Sequence, residues 1–306
     1  MALTSRLAPA GPPETEPEDF MASALGVIFP DDVINMHGDA DHGLLYTSPH
    51  LPRPIHIRLA DVQAEADRRL FSHHLWNASL LLAELLEAGT LHLPPPAGFD
   101  VAGLATAELG AGAALPSIMA ALLGARRVLV TDYPSEPVLA TLRRNVAAAT
   151  QPAMFPAARP APDVRVAGHA WGDLRLADDP DADEAGDAEP VAGCFDRVLV
   201  ADCLWMPWRH ADLHRSVAWL LRHDGDARAW VVAGFHTGRA QMRGFFDPAA
   251  LADVGLEVER LWERDCEGRE RAWAWDRGGE DVGARKRWLA VGVLRRVRRA
   301  MVDGEV

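Results

Sequence analysis

The sequence predicts an α/β fold: a doubly wound seven-strand sheet, mostly parallel, with an antiparallel terminal hairpin. Three observations carry that expectation. Strand-like apolar runs alternate with helix-like segments from residue 104 onward, the pattern of right-handed crossovers within one sheet. The run at 128–131 is continuously apolar, as a sheet covered on both faces requires. Two strand-like runs, 256–262 and 288–294, close the chain with no convincing helix between them; this is the expected hairpin.

The elements follow in order. Residues 1–30 hold five prolines and several acids and read as a flexible arm. Residues 31–98 read as an N-terminal extension, with a short strand at 56–59. A helix at 61–87 should pack on the core through Leu75, Leu80, Leu81, Leu82, Leu85 and Leu86. Pro94, Pro95 and Pro96 end it. The main domain spans 99–299. Its first strand, 104–109, runs into a loop with Gly110 and Gly112, and a helix at 115–123 stops at Gly124. Strands follow at 128–131, 164–167, 195–201 and 228–235, with helices at 136–149 and 211–222. A loop insertion at 173–192 is crowded with acids, and 300–306 form a tail.

Composition narrows the function. The formal charge of −13 opposes phosphate-backbone binding as the main activity and suits a basic partner or a cationic cofactor. No apolar stretch has the ~18 residues a membrane span needs, and the first twenty residues lack the apolar core of a secretion signal. The three cysteines, Cys194, Cys203 and Cys266, form no CxxC pair, which fits a reducing interior. A cytoplasmic protein acting on neither nucleic acid nor membrane is expected.

The chemistry concentrates in Glu108-Leu109-Gly110-Ala111-Gly112-Ala113-Ala114-Leu115-Pro116-Ser117. A strand running through Gly-x-Gly into a helix lets backbone N–H groups approach a ligand, which makes the sheet Rossmann-like. Asp132 ends the next strand, where an acid can hold a ribose diol. An ordinary packing turn, with Asp132 as a helix cap, is the plainer reading of the same residues. A dinucleotide fingerprint wants a third glycine where Leu115 stands. Glu108 would sit poorly beside a pyrophosphate and well beside an ammonium. S-adenosylmethionine, with a sulfonium and an amino-acid tail, fits both points.

These residues, with Gly124-Ala125-Arg126-Arg127-Val128 and Val130-Thr131-Asp132-Tyr133-Pro134, resemble the seven-strand methyltransferases of family 16. The resemblance continues through Leu142-Arg143-Arg144-Asn145, His169-Ala170-Trp171-Gly172, Phe195-Asp196 and Ala201-Asp202. Upstream it takes in Pro17-Glu18-Asp19-Phe20 and His74-Leu75-Trp76-Asn77-Ala78. It extends in particular to the fungal nicotinamide N-methyltransferase-like and elongation factor 1A N-terminal and lysine methyltransferase branches. The family implies cofactor contacts at Trp76, Gly110, Ala111, Gly112, Asp132, Trp171 and Ala201. Many of its protein-lysine members carry Asp-x-x-Tyr or Asp-x-x-Phe after the fourth strand, where this chain has Asp202-Cys203-Leu204-Trp205.

Asp202 and Trp205 are therefore the candidate catalytic residues. An aromatic wall can stack a flat ring or surround an ammonium. Three readings stay open: methylation of a protein amine, methylation of nicotinamide or a similar heteroaromatic amine, and a non-catalytic scaffold retaining the fold. His210 and His214 have a metal-like spacing, but without a third ligand no metal is expected. Arg295, Arg296, Arg298 and Arg299 read as a solvated basic run.

Overall fold

The computed structural model describes residues 2–10, 35–39, 41–68, 71–94, 98–155, 161–177 and 191–297. Its centre is one sheet. In chain order the strands are β6 (Ala105–Leu109), β7 (Arg127–Asp132), β8 (Asp163–Gly168), β9 (Arg197–Ala201), β10 (Arg228–Gly234), β11 (Leu256–Asp265), β12 (Glu270–Ala272) and β13 (Trp288–Arg296). Their spatial order is β12-β11-β13-β10-β9-β6-β7-β8. The five from β8 across to β10 run parallel, whereas β13 and β11 run antiparallel. The seven expected strands are present, and the three-residue β12 adds a short edge beyond the terminal hairpin.

The chain runs outward from β6 to β7 and β8, then returns to place β9 on the other side of β6. That reversal opens a crevice at the carboxyl ends of β6 and β9, where doubly wound sheets bind ligands. Alternation along the strands divides the core. Val128, Val130 and Leu199 face one apolar cluster, and Leu129, Val198 and Val200 face the other. Helices α2 (Leu115–Leu123) and α3 (Glu136–Ala149) have the expected bounds, and α4 (His210–Leu220) starts one residue early.

The N-terminal part departs most from expectation. Residues 7–10, placed in the flexible arm, form β1 (Leu7–Ala10), which pairs with β3 (Gly43–Tyr46). The strand expected at 56–59 is β4 (Ile55–Ile57), the third member of this small antiparallel sheet. The single helix expected at 61–87 is broken. A one-turn helix spans Glu65–Arg68, β2 (Met36–His37) pairs with β5 (Leu75–Trp76), and α1 runs Asn77–Thr90. At the break Phe71 sits at φ 55 and Trp76 is extended, and neither angle belongs to a right-handed helix.

Helix α1 carries Leu80, Leu81, Leu82, Leu85 and Leu86 of the expected face, all buried, and packs against α2 and β10, whereas Leu75 lies in β5. One polar clasp binds the extension to the domain, and a second binds the N-terminal arm to the extension. Asn145 of α3 accepts the Arg58 N–H and donates to the Arg58 and Ala113 carbonyls. Arg6 donates to the buried Glu87 and to Tyr46. Of the basic run, Arg295 and Arg296 are not a tail: both lie in β13, paired with Glu257 and with carbonyls near the end of α4. Arg298, Arg299, the 300–306 tail, Pro17 to Phe20, and 178–190 of the acidic insertion lie outside the described residues.

Gly89 marks the closest approach of α1 to the domain: a methyl there would lie 2.6 Å from the Phe99 backbone nitrogen and carbonyl carbon. Gly89→Ala should lower stability by about 1–3 kcal/mol through overpacking, despite alanine's better helix propensity. Urea denaturation of the two proteins checks this; an unchanged or higher midpoint contradicts it.

Candidate active site

The β6–α2 loop is built from left-handed backbone. Gly110 and Gly112 lie at φ 65 and 55, and Ala114, which begins the helix, at 66. A side chain at Gly110 would meet Cys203 Sγ at 2.7 Å and Trp171 Cζ2 at 3.1 Å. Two contacts tie the loop to β7: the Ala111 N–H donates to the Thr131 carbonyl (2.9 Å) and the Gly112 N–H to Asp132 Oδ2 (2.7 Å). Asp132 Oδ1 accepts from the Tyr133 N–H. The carboxyl is 5% exposed. Burial pushes its pKa up to about 6 against the pull of the two N–H bonds.

The rest of the crevice comes from three directions. Beyond β8 stand His169 and Trp171; His169 is hydrogen-bonded to Ser216, and the Trp171 carbonyl accepts from Arg209. Beyond β9, Ala201, Asp202, Cys203 and Trp205 form the floor and one wall. Phe71, Ser72, His74 and Trp76 come from the extension and face them. The enclosed cleft is about 340 Å³, within the range of small-molecule sites. Its mouth is aromatic: Phe71 meets Trp205 edge-on at 5.3 Å and Trp76 at 6.3 Å, and Trp208 stands 71% exposed at the rim.

Asp202 is 8% exposed and sits at φ 59, a region few non-glycine residues adopt. Its Oδ1 accepts the Gly234 N–H (3.0 Å), and its Oδ2 lies 2.8 Å from His236 Nε2. The turn after β10 is held in its own right. Arg239 spans the buried Glu263 and Glu280, which also take Arg271, and its guanidinium lies over Phe235 and Trp273.

Trp76, Gly110, Ala111, Gly112, Asp132, Trp171 and Ala201, together with Asp202 and Trp205, all line this one cleft. Glu108 does not. It is 0% exposed, and its Oε2 accepts the N–H and the hydroxyl of Ser117 in the first turn of α2. The expectation that it faces an ammonium in the cleft is corrected: the β6 pleat turns it inward, and burial pushes its pKa up to about 8. His210 and His214 are drawn to backbone carbonyls, of Leu204 and Phe245. Sequence reasoning missed Phe71, Ser72 and His236. Phe71 and Ser72 stand just before the recognised His74-Leu75-Trp76 motif, a signal that was available, whereas the placement of His236 depends on the β9–β10 register.

The pocket suits a nucleoside. A side chain at Gly110 would close the cradle, the Asp132 oxygens keep lone pairs beyond their N–H bonds, and Ser72 Oγ is buried without a partner among the described residues. Fold and cleft together define an S-adenosylmethionine-dependent methyltransferase. A profile of the lysine methyltransferase family matches residues 61–250. Similar chains include the protein N-terminal and lysine N-methyltransferase EFM7 of Gibberella zeae, 30% identical over 195 residues, which cover 63% of this chain and 69% of that one. The protein of that name from Yarrowia lipolytica is 30% identical over 212 residues, with 66% and 71% covered. That from Schizosaccharomyces pombe is 27% identical over 239 residues, with 77% and 81% covered. The chain belongs to the lysine methyltransferase family and is an N-methyltransferase.

Gly110→Ala should abolish S-adenosylmethionine binding in calorimetry, because the methyl fills the cradle and the left-handed angle disfavours it. Binding at wild-type affinity would contradict the cradle. Donor hydroxyls favour the ionised Asp132, so affinity should fall on acidification through about pH 6. Asp132→Ala should bind weakly and lose that pH dependence.

Proposed function

We propose that the chain methylates a protein amine, a lysine or an N-terminal amine, with S-adenosylmethionine held by Trp76, the Gly110–Ala111–Gly112 loop, Asp132, Trp171 and Ala201. The observation that carries this is the buried Asp202 carboxylate in a cleft walled by Trp205 on its own side and by Phe71 and Trp76 of the extension. The names of the EFM7 relatives support a protein acceptor, and the net charge of −13 suits a basic one.

The bound cofactor supplies an electrophilic methyl carbon on a sulfonium. The protein prepares the nucleophile. A lysine has a pKa near ~10.4, so its neutralisation at pH 7 costs about 4–5 kcal/mol. Each Asp202 oxygen meets one nitrogen, the Gly234 N–H or His236 Nε2, leaving lone pairs for the ammonium proton. The burial of Asp202, 8% exposed, strengthens its attraction for that ammonium, and the faces of Trp205 and Phe71 in the cleft add cation–π stabilisation. Position and a dry, preorganised site supply the remainder.

A heteroaromatic amine such as nicotinamide is the second reading, favoured by the aromatic mouth; such a nitrogen is already unprotonated and has no need of Asp202. A cytoplasmic setting belongs to the same proposal: all three cysteines are free, and no helix among the described residues is long and apolar enough to cross a membrane. Neither a membrane nor a nucleic acid is proposed as a partner.

Tritiated S-adenosylmethionine incubated with a protein extract should label a macromolecular band, and Asp202→Asn should lower that rate by about 10²–10⁴-fold. Label confined to added nicotinamide, with Asp202→Asn unimpaired, overturns the protein reading in favour of the second. Donor binding with no transfer to any acceptor would leave only the scaffold.

A further inference from the structure

Strand β10 ends at Gly234, and the turn that follows it, Phe235-His236, folds back onto Asp202. Both carboxylate oxygens are engaged from it: Oδ1 by the Gly234 N–H at 3.0 Å and Oδ2 by His236 Nε2 at 2.8 Å. The same imidazole packs on Trp76, with centroids 4.8 Å apart. One ring thus touches the acceptor carboxylate and the tryptophan of the opposite wall.

Gly234 makes room for the ring. A Cβ there would lie 2.5 Å from His236 Nε2 and 2.7 Å from Cε1. Gly234 is absent from the left-handed glycines, so its backbone does not demand glycine; the imidazole does. Asp202 itself has a sparsely populated backbone angle, which persists only where its surroundings fix it.

We infer that His236 is a positioning residue for the acceptor carboxylate: it holds Asp202 facing the cleft and, through its own charge, sets whether Asp202 takes a proton from an incoming ammonium. The inference rests on the reading that Asp202 meets the acceptor amine. With neutral imidazole the pair carries one negative charge. The ammonium N–H bond then breaks, the proton passes to the Asp202 carboxylate, and the electron pair stays on nitrogen. With imidazolium the pair is already neutral, and a further proton would leave a net positive charge in a desolvated site.

The groups around the ring are few. Asp202, at the end of β9, is the charged one, Trp76 of β5 presents an uncharged indole, and Arg239 on the following turn is committed to Glu263 and Glu280. Burial pulls the imidazole pKa down, but the charge and hydrogen bond of Asp202 outweigh it and hold it above the ordinary 6.5. The changeover therefore falls above the ordinary imidazole value.

The test combines histidine NMR titration of the unliganded protein with tritium transfer to a protein extract from about pH 6 to 9. His236 should titrate above 6.5 and return toward that ordinary value in Asp202→Asn. Wild-type kcat/KM should fall on the acid side with a limiting slope of about one, from the imidazole alone, because the incoming ammonium delivers its proton to Asp202. His236→Gln keeps an N–H donor but does not titrate, so its profile should be about flat over this range, with the KM for S-adenosylmethionine unchanged. His236→Phe and Gly234→Ala should each lose about 10²-fold in kcat. A His236 titration indifferent to Asp202→Asn, or a wild-type slope in His236→Gln, overturns the inference. If wild type labels no protein at any pH, the protein-acceptor reading fails instead, and the NMR titration alone decides the role of His236.

Discussion

The hydrogen bond from the Gly112 N–H to Asp132 Oδ2 is the contact around which the donor half of the cleft is arranged. It fixes the glycine loop against the end of β7, so the backbone of β6 and the carboxylate of β7 reach the crevice in one relative position. The parallel register of β6 and β7, Leu109 opposite Thr131, makes the bond possible. The loop's left-handed angles make it necessary, because N–H groups turned this way need a partner that is not a strand. Buried and doubly hydrogen-bonded, Asp132 is held in place before a ligand arrives.

The central domain was legible because its signals are local. Continuous apolar runs marked the parallel strands, Gly124 stopped α2 where expected, and the bounds of α3 follow from its periodicity. The donor side was legible for the same reason: Gly110, Gly112 and Asp132 occupy strand ends, and strand ends at a switch point are where ligands bind. Glu108 was misplaced because β6 is buried at all five positions, so the alternation of Thr106 and Glu108 with apolar residues marks no solvent face or cleft side.

Elsewhere the structure depends on long-range pairings invisible to a local reading. The leucines of α1 suggested a helix reaching back to residue 61, but pairing of 75–76 with 36–37 overrode that propensity. Residues 7–10, rich in alanine and proline, have little strand character and gain it from Gly43–Tyr46. His236 meets Asp202, 34 positions earlier in the chain, because β9 and β10 are neighbours with Val232 opposite Ala201. No spacing rule within the sequence encodes that meeting.

The guanidinium of Arg239 bears on how the acceptor wall behaves before any substrate comes. It grips two carboxylates, one of them wholly buried, and lies against two aromatic rings, all three residues beyond His236. A segment lashed in this way has little conformational freedom left to surrender. Ordering of that wall is completed during folding rather than at encounter, so an arriving amine finds a rigid receptor and its contact energy goes into affinity instead of loop fixation.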